Sequence, residues 1–342
     1  MKEPKQNVSL HQYTTLHIGG VADYVWEVES VEEVRAACRF AKQTGTPPGN
    51  TPLILGGGSN VLISDEGYRG VVIRNCIQGR TYHDVSDDVV HLTVGAGELL
   101  DDVVADTVAR GLWGLENLSS IPGTVGATPV QNVGAYGVEV ADSIVSVQAV
   151  HRDSGEEKLF SQTECAFAYR DSFFKTPDGR LWIITAVTFA LSRTPQPQIA
   201  YADLAPLREC TTLTPADIRT QIQQVRAAKF PDWTVVGTAG SFFKNPIISS
   251  SAFAKLVQQY PDIPSFVQSD GRVKVPLGYI LDKVCQLKGY REGNVGLYEN
   301  QALVLVAYDG ATATEVKTFV KKIEAYVFEK TNIQIECEVQ FI

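Results

Sequence analysis

The sequence has little of what marks zinc-binding, secreted or membrane-spanning proteins. Its six cysteines are scattered and no two show C-x-x-C spacing, so neither a metal site nor a redox dithiol is expected. No apolar run approaches the roughly 20 residues that span a bilayer. Residues 1–12 are polar and lack the apolar region of a secretory signal. Together these features favour a cytoplasmic protein with reduced thiols.

Positive charge is also in short supply. The chain has 30 Lys and Arg against 39 Asp and Glu, which gives a formal net charge of -9. A broad nucleic-acid surface needs clustered basic residues that displace counterions, so no nucleic-acid partner is expected. With 342 residues and 44% apolar residues, the chain is expected to form one oversized globular domain or two to three ordinary ones.

The start of the chain predicts a strand, a helix and a second strand. Residues 24–28 are typical of a strand. Ser30 followed by Glu33 has the spacing of a capping box, and Val31, Val34, Cys38 and Ala41 recur at helical spacing as the expected buried face. Gly45, Pro47 and Pro48 are expected to end the helix. Further strands are predicted at 53–55, 91–94, 143–150, 181–190 and 302–307, of which 53–55 and 302–307 are expected to be buried. Helices are predicted at 98–110, from 214, at 276–287 and at 314–330. The apolar residues of the last helix are expected to face inward: Val316, Phe319, Val320, Ile323 and Val327.

Two glycine-rich stretches are candidate binding elements. The glycine turn (residues 56–60) follows a predicted strand, and its Gly-Gly-Gly-Ser-Asn sequence would let backbone N–H groups approach an anion; a flexible turn is the alternative. The glycine-rich segment (residues 121–137) sets four glycines among small residues with Gln131 and Asn132 between them. A dinucleotide along the backbone would fill the space that these residues leave, and a buried tight turn is the alternative.

Three further stretches carry candidate chemistry. Arg170 lies among aromatic residues, where its guanidinium could grip a carboxylate or pair with Asp171. Ser241 follows small residues and has no histidine nearby in sequence, so a Ser-His hydrolase is unsupported. Such a serine commonly caps a turn, but it can also donate a proton to a strongly basic carbon.

The final segment alternates cleanly between apolar and polar residues. Residues 333, 335, 337, 339 and 341 form the apolar face of a predicted strand, and Glu336 and Glu338 lie on the opposite face. Two carboxylates on one face suit proton handling, or they simply face solvent.

Taken in order, these stretches resemble the UDP-N-acetylenolpyruvoylglucosamine reductase (UDP-N-acetylmuramate dehydrogenase) family over nearly the whole chain. The most specific parts are residues 56–62, 121–137, 169–175, 240–245 and 336–341. The resemblance implies an α+β protein with a vanillyl-alcohol-oxidase/PCMH-type FAD-binding fold in two subdomains, residues 1–75 and 76–230. A C-terminal α/β substrate-binding domain, residues 231–342, would follow.

The resemblance also implies an activity: reduction of UDP-N-acetylglucosamine enolpyruvate by NADPH through non-covalent FAD, in peptidoglycan precursor synthesis. Ser241 falls on the position of the family's proton donor, and Arg170 and Glu338 fall on the other catalytic positions. Tyr201, in the Pro-rich stretch 193–206, matches the tyrosine loop of the type I subgroup. Neither a metal nor membrane insertion is implied, and a monomer is expected.

Two sets of binding residues follow from the same resemblance. The substrate-binding set is Tyr201, Lys229, Asn245, Lys288 and Gln301. The FAD-binding set is Gly56, Gly57, Gly58, Ser59, Asn60, Ser120, Ile121, Pro122, Gly123, Gly126, Gln131, Asn132, Gly134, Ala135 and Gly137.

The chain departs from the family pattern at five positions. Thr238 stands where asparagine is usual, Trp233 and Cys337 where proline is frequent, Gln340 where arginine is frequent, and Phe266 where a type I tyrosine is expected. Two alternatives stay open: a flavin oxidase of the same fold, and a non-catalytic nucleotide-binding protein. The first would turn over oxygen without NADPH, and the second would bind FAD or UDP without redox turnover.

Overall fold

The computed structural model describes residues 3–44 and 51–342, which form two compact units. The first unit draws on the ranges Met1–Val8, Ala22–Gly58 and Tyr68–Arg226, and the second on Ser9–Val21, Ser59–Gly67 and Ala227–Ile342. The glycine turn therefore divides between the units after Gly58. The domain boundaries at residues 75 and 230 stay predictions.

The strands are, in chain order, β1 (Lys5–Ser9), β2 (Val21–Val28), β3 (Leu53–Leu55), β4 (Val61–Leu62), β5 (Tyr68–Asn75), β6 (Arg80–Asp84), β7 (Val89–Gly95), β8 (Gly134–Ala135), β9 (Val138–Glu139), β10 (Ile144–His151), β11 (Glu157–Ser161), β12 (Trp182–Ser192), β13 (Gly237–Ser241), β14 (Ile247–Ile248), β15 (Phe266–Val267), β16 (Val273–Lys274), β17 (Arg291–Glu292), β18 (Val295–Leu297), β19 (Val304–Ala307) and β20 (Gln340–Phe341).

The α-helices are α1 (Val31–Gln43), α2 (Leu100–Ala109), α3 (Pro215–Lys229), α4 (Ser250–Gln259), α5 (Leu277–Tyr279) and α6 (Ala313–Thr331). A π-helical stretch, Ile280–Val284, continues α5. Short 3-10 helices lie at Leu10–Tyr13, Glu116–Leu118, Val125–Ala127, Val140–Asp142, Phe173–Lys175, Gly179–Leu181 and Ala202–Glu209.

The first unit begins with a sheet in the order β1-β2-β5-β3, in which β5 pairs in parallel with both β2 and β3. Ser30 caps α1 as predicted, since its hydroxyl accepts the Glu33 N–H at 3.2 Å. The Glu33 carboxylate, however, accepts the Glu29 N–H at 2.8 Å, one residue before the cap. The expected helix end at Gly45, Pro47 and Pro48 lies outside the described residues.

Two details of this sheet differ from expectation. Ile54 is 37% exposed, so β3 is not buried throughout; it is the edge strand of its sheet. The buried face of α1 consists of Val34, Ala36, Ala37, Cys38 and Ala41. Val31, the first residue of the helix, is only partly buried because the first turn lies at the margin of the core.

The second sheet of this unit has the order β11-β10-β12-β7-β6 and is antiparallel throughout. Its inward side chains pack with α2 around a core that includes Leu92, Val104, Val147 and Phe189. Helix α2 ends at Ala109, two residues before Gly111. The same core includes Val125, near the start of the glycine-rich segment.

The second unit is built on a sheet in the order β13-β19-β18-β17 and on α6. Thr312 and Glu315 form a reciprocal capping box at the start of α6. The Asp65 carboxylate accepts the Ala313 N–H at 2.7 Å and the Thr314 N–H at 2.9 Å. The helix dipole stabilises a negative charge at a helix N-terminus. The Asp65 hydrogen bonds therefore hold residues 59–67 against the start of α6.

The second unit also corrects three predictions. Helix α4 was not predicted, although Ser249 caps it by accepting the Ala252 N–H at 3.2 Å. The helix predicted at 276–287 is shorter, because α5 passes into the π-helical stretch and Gln286 has a left-handed φ of 55°. The final segment alternates as predicted from Ile333 to Glu336, but Cys337 and Glu338 are both half-buried, so the predicted difference between the two faces is lost there. The segment is a strand only at β20, which pairs with β4 in a two-stranded sheet of the described residues, and Phe341 is 45% exposed.

The six cysteines are free thiols, and only Cys210 is exposed. Burial raises the pKa of Cys38 and Cys285 to about 11 and that of Cys165 and Cys337 to about 12. Within residues 3–44 and 51–342, no helix combines the length and the apolar character needed to cross a bilayer.

Candidate active site

The two glycine-rich stretches meet inside the first unit. A Cβ at Gly56 would lie 2.3 Å from the Thr124 hydroxyl oxygen, and one at Gly57 would lie 2.8 Å from the Gly123 Cα. The contact at Gly57 is with backbone and excludes a side chain there, whereas a side chain at Gly56 would require the Thr124 hydroxyl to move. The backbones of the two stretches therefore approach one another with no side chain between them. Backbone N–H groups that cluster in this way can bind the phosphates of an extended cofactor. Gly56, Gly57 and Gly123 therefore fit such a group.

The residue before the glycine-rich segment is held by an ion pair. Ser120 has a left-handed φ of 60°, and its N–H donates to Asp101 Oδ1 at 2.5 Å. Arg219 on α3 donates to both carboxylate oxygens of Asp101, at 2.5 and 3.0 Å. Burial alone would raise the pKa of the Asp101 carboxyl, but these donors hold it below its ordinary value. The strained Ser120 backbone is thus fixed by a charged acceptor.

Asn132 joins the glycine-rich segment to the stretch that carries Arg170. It has a left-handed φ of 46° and is buried. Its amide nitrogen donates to Glu139 Oε2 at 2.6 Å and to the Ala168 carbonyl at 3.1 Å. Its amide oxygen accepts the Ala141 N–H at 3.1 Å. This predicted FAD-binding residue therefore uses its side chain to organise the protein.

Arg170 sits at the tip of a tight turn in the first unit. Ala168 and Asp171 exchange backbone hydrogen bonds across the turn, at 3.0 and 3.1 Å. Arg170 has a left-handed φ of 54°, and its Nη2 donates to the Gly134 carbonyl at 2.8 Å. Lys175 donates back to the Arg170 carbonyl at 2.5 Å. The guanidinium is therefore aimed at the glycine-rich segment.

Tyr201 also lies next to the glycine-rich segment. Its ring meets the Tyr136 ring edge-on, with centroids 5.5 Å apart, and its Cβ lies 4.0 Å from a Cβ built at Gly137. Tyr136 is buried, which raises the pKa of its phenol, and Arg226 on α3 hydrogen-bonds to it. Tyr201 itself is 44% exposed, so its ring has a free surface. The structure thus brings Tyr201 together with the predicted FAD-binding residues.

A bulge in β13 sets the position of Ser241. Thr238 pairs with Val306 and Ser241 with Val304, so two residues of β13 oppose one residue of β19. Gly240 takes a left-handed φ of 71° within the bulge. A bulge re-aims the side chain that follows it. Ser241 is therefore half-buried at the end of the strand, where the regular ladder is interrupted.

Thr238, one of the departures from the family pattern, supports this bulge. Its hydroxyl donates to the Leu305 carbonyl at 2.8 Å and accepts the Gly240 N–H at 3.1 Å. Its backbone N–H donates to the Thr15 carbonyl at 2.8 Å. The Thr238 hydroxyl thus hydrogen-bonds both the Leu305 carbonyl and the Gly240 N–H, so threonine fits this position.

Glu338 lies on the final segment, between two partners in the second unit. Its N–H donates to the Phe242 carbonyl at 2.8 Å, and its carbonyl accepts from the Asn60 amide at 3.3 Å. The Gln340 N–H donates to the Asn60 carbonyl at 3.1 Å. Asn60, a predicted FAD-binding residue, therefore holds the Glu338 backbone. Ser241 and Glu338 lie on adjacent, paired segments.

The two carboxylates of the final segment have different surroundings. Glu336 is exposed, and its Oε2 lies 3.2 Å from Lys244 Nζ. Glu338 is half-buried. The solvent-facing interpretation therefore fits Glu336, whereas proton handling stays a prediction for Glu338.

The remaining predicted substrate residues lie in or at the edge of the second unit. The Asn245 side chain accepts the Leu277 N–H at 2.9 Å, which begins α5. Gln301 Oε1 accepts the Leu303 N–H at 3.4 Å and lies 3.1 Å from a Cβ built at Gly278. Lys229 ends α3, and Lys288 is exposed. Two departures, Trp233 and Phe266, are exposed as well.

Several residues that organise the site were not predicted. Thr124 closes the glycine contact, Asp101 and Arg219 hold Ser120, and Asn117 is buried with its amide bonded to backbone carbonyls. The sequence around Asn117 could have indicated its role, because this polar residue lies between Leu115 and Leu118, both fully buried. A polar side chain in an apolar surrounding needs specific hydrogen-bond partners.

Two family models match the chain. The FAD binding domain model matches residues 22–159, and the model of the UDP-N-acetylenolpyruvoylglucosamine reductase C-terminal domain matches residues 231–342. The predicted fold class, an α+β protein with a vanillyl-alcohol-oxidase/PCMH-type FAD-binding fold followed by a further C-terminal domain, is confirmed by these matches.

Curated relatives cover nearly the whole chain. The UDP-N-acetylenolpyruvoylglucosamine reductases of Pseudomonas putida and Escherichia coli K12 are each 40% identical to it; the matches cover 98% of this chain and 97% and 96% of the relatives. That of Porphyromonas gingivalis is 43% identical over 84% of the chain. The crystal structure of UDP-N-acetylenolpyruvylglucosamine reductase from Thermus caldophilus matches all of this chain and 99% of its own, with a TM-score of 0.68 and 27% identity.

Proposed function

Since the chain belongs to the UDP-N-acetylenolpyruvoylglucosamine reductase family, we propose that it reduces UDP-N-acetylglucosamine enolpyruvate to UDP-N-acetylmuramate with NADPH. This reaction belongs to peptidoglycan precursor synthesis. The observation that carries the proposal is the 40% identity to curated reductases over 98% of the chain. Similarity over this length includes both the FAD-binding part and the C-terminal domain.

The cofactor of the reaction is FAD. The close approach of Gly56 and Gly57 to the glycine-rich segment supports its binding there. We assign it to the predicted set: residues 56–60, 120–123, 126, 131, 132, 134, 135 and 137. When bound, FAD supplies two-electron redox chemistry between NADPH and the enolpyruvyl group.

Arg170 and Glu338 are proposed to handle the negative charge of the reaction. Reduction of the enolpyruvyl double bond builds negative charge on the carbon next to the carboxylate. The Arg170 guanidinium would bind that carboxylate and stabilise the charge, and Glu338 would assist in a protonated or proton-sharing state. Preorganised charges of this kind are usually the largest contribution to catalysis. The bond from Arg170 to the Gly134 carbonyl supports the role, because it orients the guanidinium before substrate binds.

Ser241 is proposed to donate the proton that completes the reaction. Its Oγ–H would protonate the carbon that carries the developing charge, giving the lactyl ether. A serine hydroxyl is a very weak acid, but a carbanion-like carbon is basic enough to take its proton. The bulge before Ser241 supports this role, since it fixes the serine at the end of β13.

The remaining residues are proposed to bind the substrate. Lys229 and Lys288 would contact charged groups of the UDP-sugar, Asn245 and Gln301 would contact polar groups, and Tyr201 would cover the nucleotide. We further propose that the enzyme works as a monomer in the cytoplasm. Light scattering of the purified protein tests the first of these two points, and localisation of the tagged protein tests the second.

Stopped-flow absorbance of the two half-reactions tests the function. The FAD-loaded protein should be reduced by NADPH, and the reduced protein should be reoxidised by the enolpyruvyl substrate. Ser241→Ala should leave the first step within about twofold and slow the second by at least roughly 100-fold, the range of general acid catalysis. Ser251→Ala, an exposed serine in the first turn of α4, should leave both unchanged. Equal loss in both half-reactions would remove the role assigned to Ser241.

A further inference from the structure

The residue before the bulge in β13 is held by a threonine that is distant in sequence. The Thr15 hydroxyl donates to the Thr238 carbonyl at 2.7 Å, and the Thr238 N–H donates to the Thr15 carbonyl at 2.8 Å. Both residues belong to the second unit, and they are 5% and 6% exposed. Thr15 therefore binds both backbone hydrogen-bonding groups of Thr238.

These two bonds lie along the edge of β13 that faces away from β19. The N–H and the carbonyl of one strand residue point to the same edge of the strand. Because β13 is the first strand in the order β13-β19-β18-β17, Thr15 takes the place of a further strand at this one residue. A buried backbone group that loses its partner costs free energy, so these bonds fix Thr238 in place.

The turn that carries Thr15 is itself fixed. The Thr14 hydroxyl donates to the Ile18 carbonyl at 2.9 Å and accepts the Ile18 N–H at 3.3 Å. Leu16 and Ile18 are buried in the core of the second unit. A Cβ built at Gly237 would lie 2.2 Å from the Leu16 carbonyl oxygen, so the turn and the start of β13 are in direct backbone contact. Thr15 thus approaches β13 from a rigid support.

The bulge begins directly after the residue that Thr15 holds. The pairing of β13 with β19 is regular up to Thr238 and resumes at Ser241. Beyond the bulge, the Phe242 N–H donates to the Leu303 carbonyl at 2.9 Å. A shift of the pairing by one residue would turn the Ser241 side chain to the other face of the sheet. The position of the bulge therefore decides which way the Ser241 hydroxyl faces.

We propose that Thr15 is a positioning residue for Ser241, because it holds Thr238 and so keeps the bulge at positions 239 and 240. This inference rests on the proposed function, since it takes Ser241 to be the proton donor. A catalytic group acts only from a narrow range of positions, and a displacement of about 1 Å can lower the rate by roughly 100-fold. Thr15 would act on reoxidation by substrate alone, because Ser241 has no assigned role in flavin reduction by NADPH.

Stopped-flow absorbance of the FAD-loaded protein in H2O and in D2O tests the proposal. Thr15→Val keeps the shape of the side chain but removes the hydroxyl that bonds to Thr238. Reoxidation by the enolpyruvyl substrate should slow by about tenfold, and flavin reduction by NADPH should stay within about twofold. The solvent isotope effect on reoxidation should rise above that of wild type, because proton transfer from a displaced Ser241 limits the rate more strongly.

Two further variants and a control make the result specific to the hydroxyl. Thr15→Ser keeps the donor, so the rate and the isotope effect should return to near wild-type values. Thr15→Cys has only a weak donor and should slow reoxidation by about threefold, which answers the question if Thr15→Val does not fold. Thr107→Val removes a buried hydroxyl that donates to the Val104 carbonyl at 2.9 Å on α2. It should lower the melting temperature and leave reoxidation and its isotope effect unchanged.

The outcomes separate this inference from the proposed function. Wild-type reoxidation and a wild-type isotope effect in Thr15→Val, or in Thr15→Cys if the valine variant does not fold, would overturn the role of Thr15. Slowing that Thr15→Ser does not reverse would overturn it as well. If Ser241→Ala itself left reoxidation intact, the proton-donor role under the proposed function would fail. Dependence on Ser241 together with indifference to Thr15 would remove only the positioning role.

Discussion

The backbone N–H of Glu338 donates to the carbonyl oxygen of Phe242 over 2.8 Å. Phe242 directly follows Ser241. This backbone hydrogen bond therefore joins the two segments that carry Ser241 and Glu338, both of which we assign to catalysis. The next bond of this pairing, from the Lys244 N–H to the Glu336 carbonyl, is 2.9 Å. Together the two bonds fix the register of the segments. A change in the conformation of the bulge before Ser241 should therefore shift the positions of both Ser241 and Glu338.

Gly240 allows a direct test of this bulge. Its φ of 71° is unfavourable for alanine by roughly 1–2 kcal/mol, whereas asparagine tolerates it better. Within residues 3–44 and 51–342, and apart from its two chain neighbours, no atom lies within 4 Å of a Cβ built at Gly240, so the direct effect expected of alanine is backbone strain. Gly240→Ala should lower both the melting temperature and the rate of reoxidation by substrate, and Gly240→Asn should lower both less.

Gly111 supplies the matched control for that experiment. It has a φ of 69° and equally open surroundings, but it ends α2. Gly111→Ala should reduce stability to a similar extent and leave the reoxidation rate alone. If the two alanine variants had the same effect on reoxidation, the bulge would have no special bearing on Ser241.

A second prediction concerns the contact between Gly56 and Thr124. Gly56→Ala should lose most of its bound FAD, because the new Cβ would lie 2.3 Å from the Thr124 hydroxyl and would push the two stretches apart. Adding Thr124→Ala removes that oxygen and leaves the Cβ atoms of residues 124 and 127, both at 3.6 Å, as ordinary contacts. The flavin-to-protein absorbance ratio should therefore fall in the single variant and recover in the double variant. Thr124→Ala alone is the control, and no recovery would show that the clash is not the cause.

A third prediction concerns pH and Asp101. The pKa of this carboxyl is lower in the folded protein than in the unfolded chain, so its contribution to stability is present above the unfolded value, about 4. The contribution is lost as the pH falls through the folded value. Urea unfolding should therefore show that Asp101→Asn is less stable than wild type near pH 7. The difference should shrink between roughly pH 5 and pH 2.

Two further variants are compared with Asp101→Asn: one removes its ion-pair partner, and the other is a control. Arg219→Ala removes the two guanidinium donors to Asp101, leaving the Ser120 N–H, and should destabilise the protein by about 1–3 kcal/mol near neutral pH. Asp87→Asn changes an exposed loop carboxylate and should follow the wild-type curve. A constant gap between wild type and Asp101→Asn at all pH values would contradict the assignment of this ion pair.

A fourth prediction concerns Arg170. Lysine keeps the charge but cannot offer two parallel N–H donors to a carboxylate. Arg170→Lys should slow reoxidation by substrate by roughly 100-fold, the size expected when one preorganised donor is lost. Flavin reduction by NADPH should change much less. Arg180→Lys, an exposed arginine in the same stretch, serves as the control. Loss confined to flavin reduction would place Arg170 elsewhere in the cycle.

Local patterns predicted a large part of the fold. Helix α6 was expected at residues 314–330, with Val316, Phe319, Val320, Ile323 and Val327 facing inward, and all five are buried. A long helix with an apolar face repeats the same signal over several turns. The final segment carries its signal only once. Its alternation matched burial as far as Glu336, whereas Cys337 and Glu338 are both half-buried. Pairing with β4 and the exposure of Phe341 depend on distant residues.

The candidate site residues could be proposed from residue type, whereas the contacts that position them could not. Gly56, Arg170 and Ser241 were chosen from their surroundings in sequence. The 2.3 Å approach of Gly56 to Thr124 and the bond from Asn60 to the Glu338 carbonyl join parts of the chain that no local pattern relates. Asn60 illustrates the difference: it was expected to bind FAD, yet its side chain holds the backbone of another proposed site residue.

The distribution of thiols has a practical consequence. Cys210 is exposed and follows the 3-10 helix that begins after Tyr201, and its N–H donates to the Leu207 carbonyl at 3.2 Å. Buried thiols with raised pKa values form little thiolate near neutrality and react slowly with maleimides. A fluorophore can therefore be attached at Cys210 in preference to these buried thiols, without engineering a new cysteine. Its emission would follow ligand-driven rearrangements in real time.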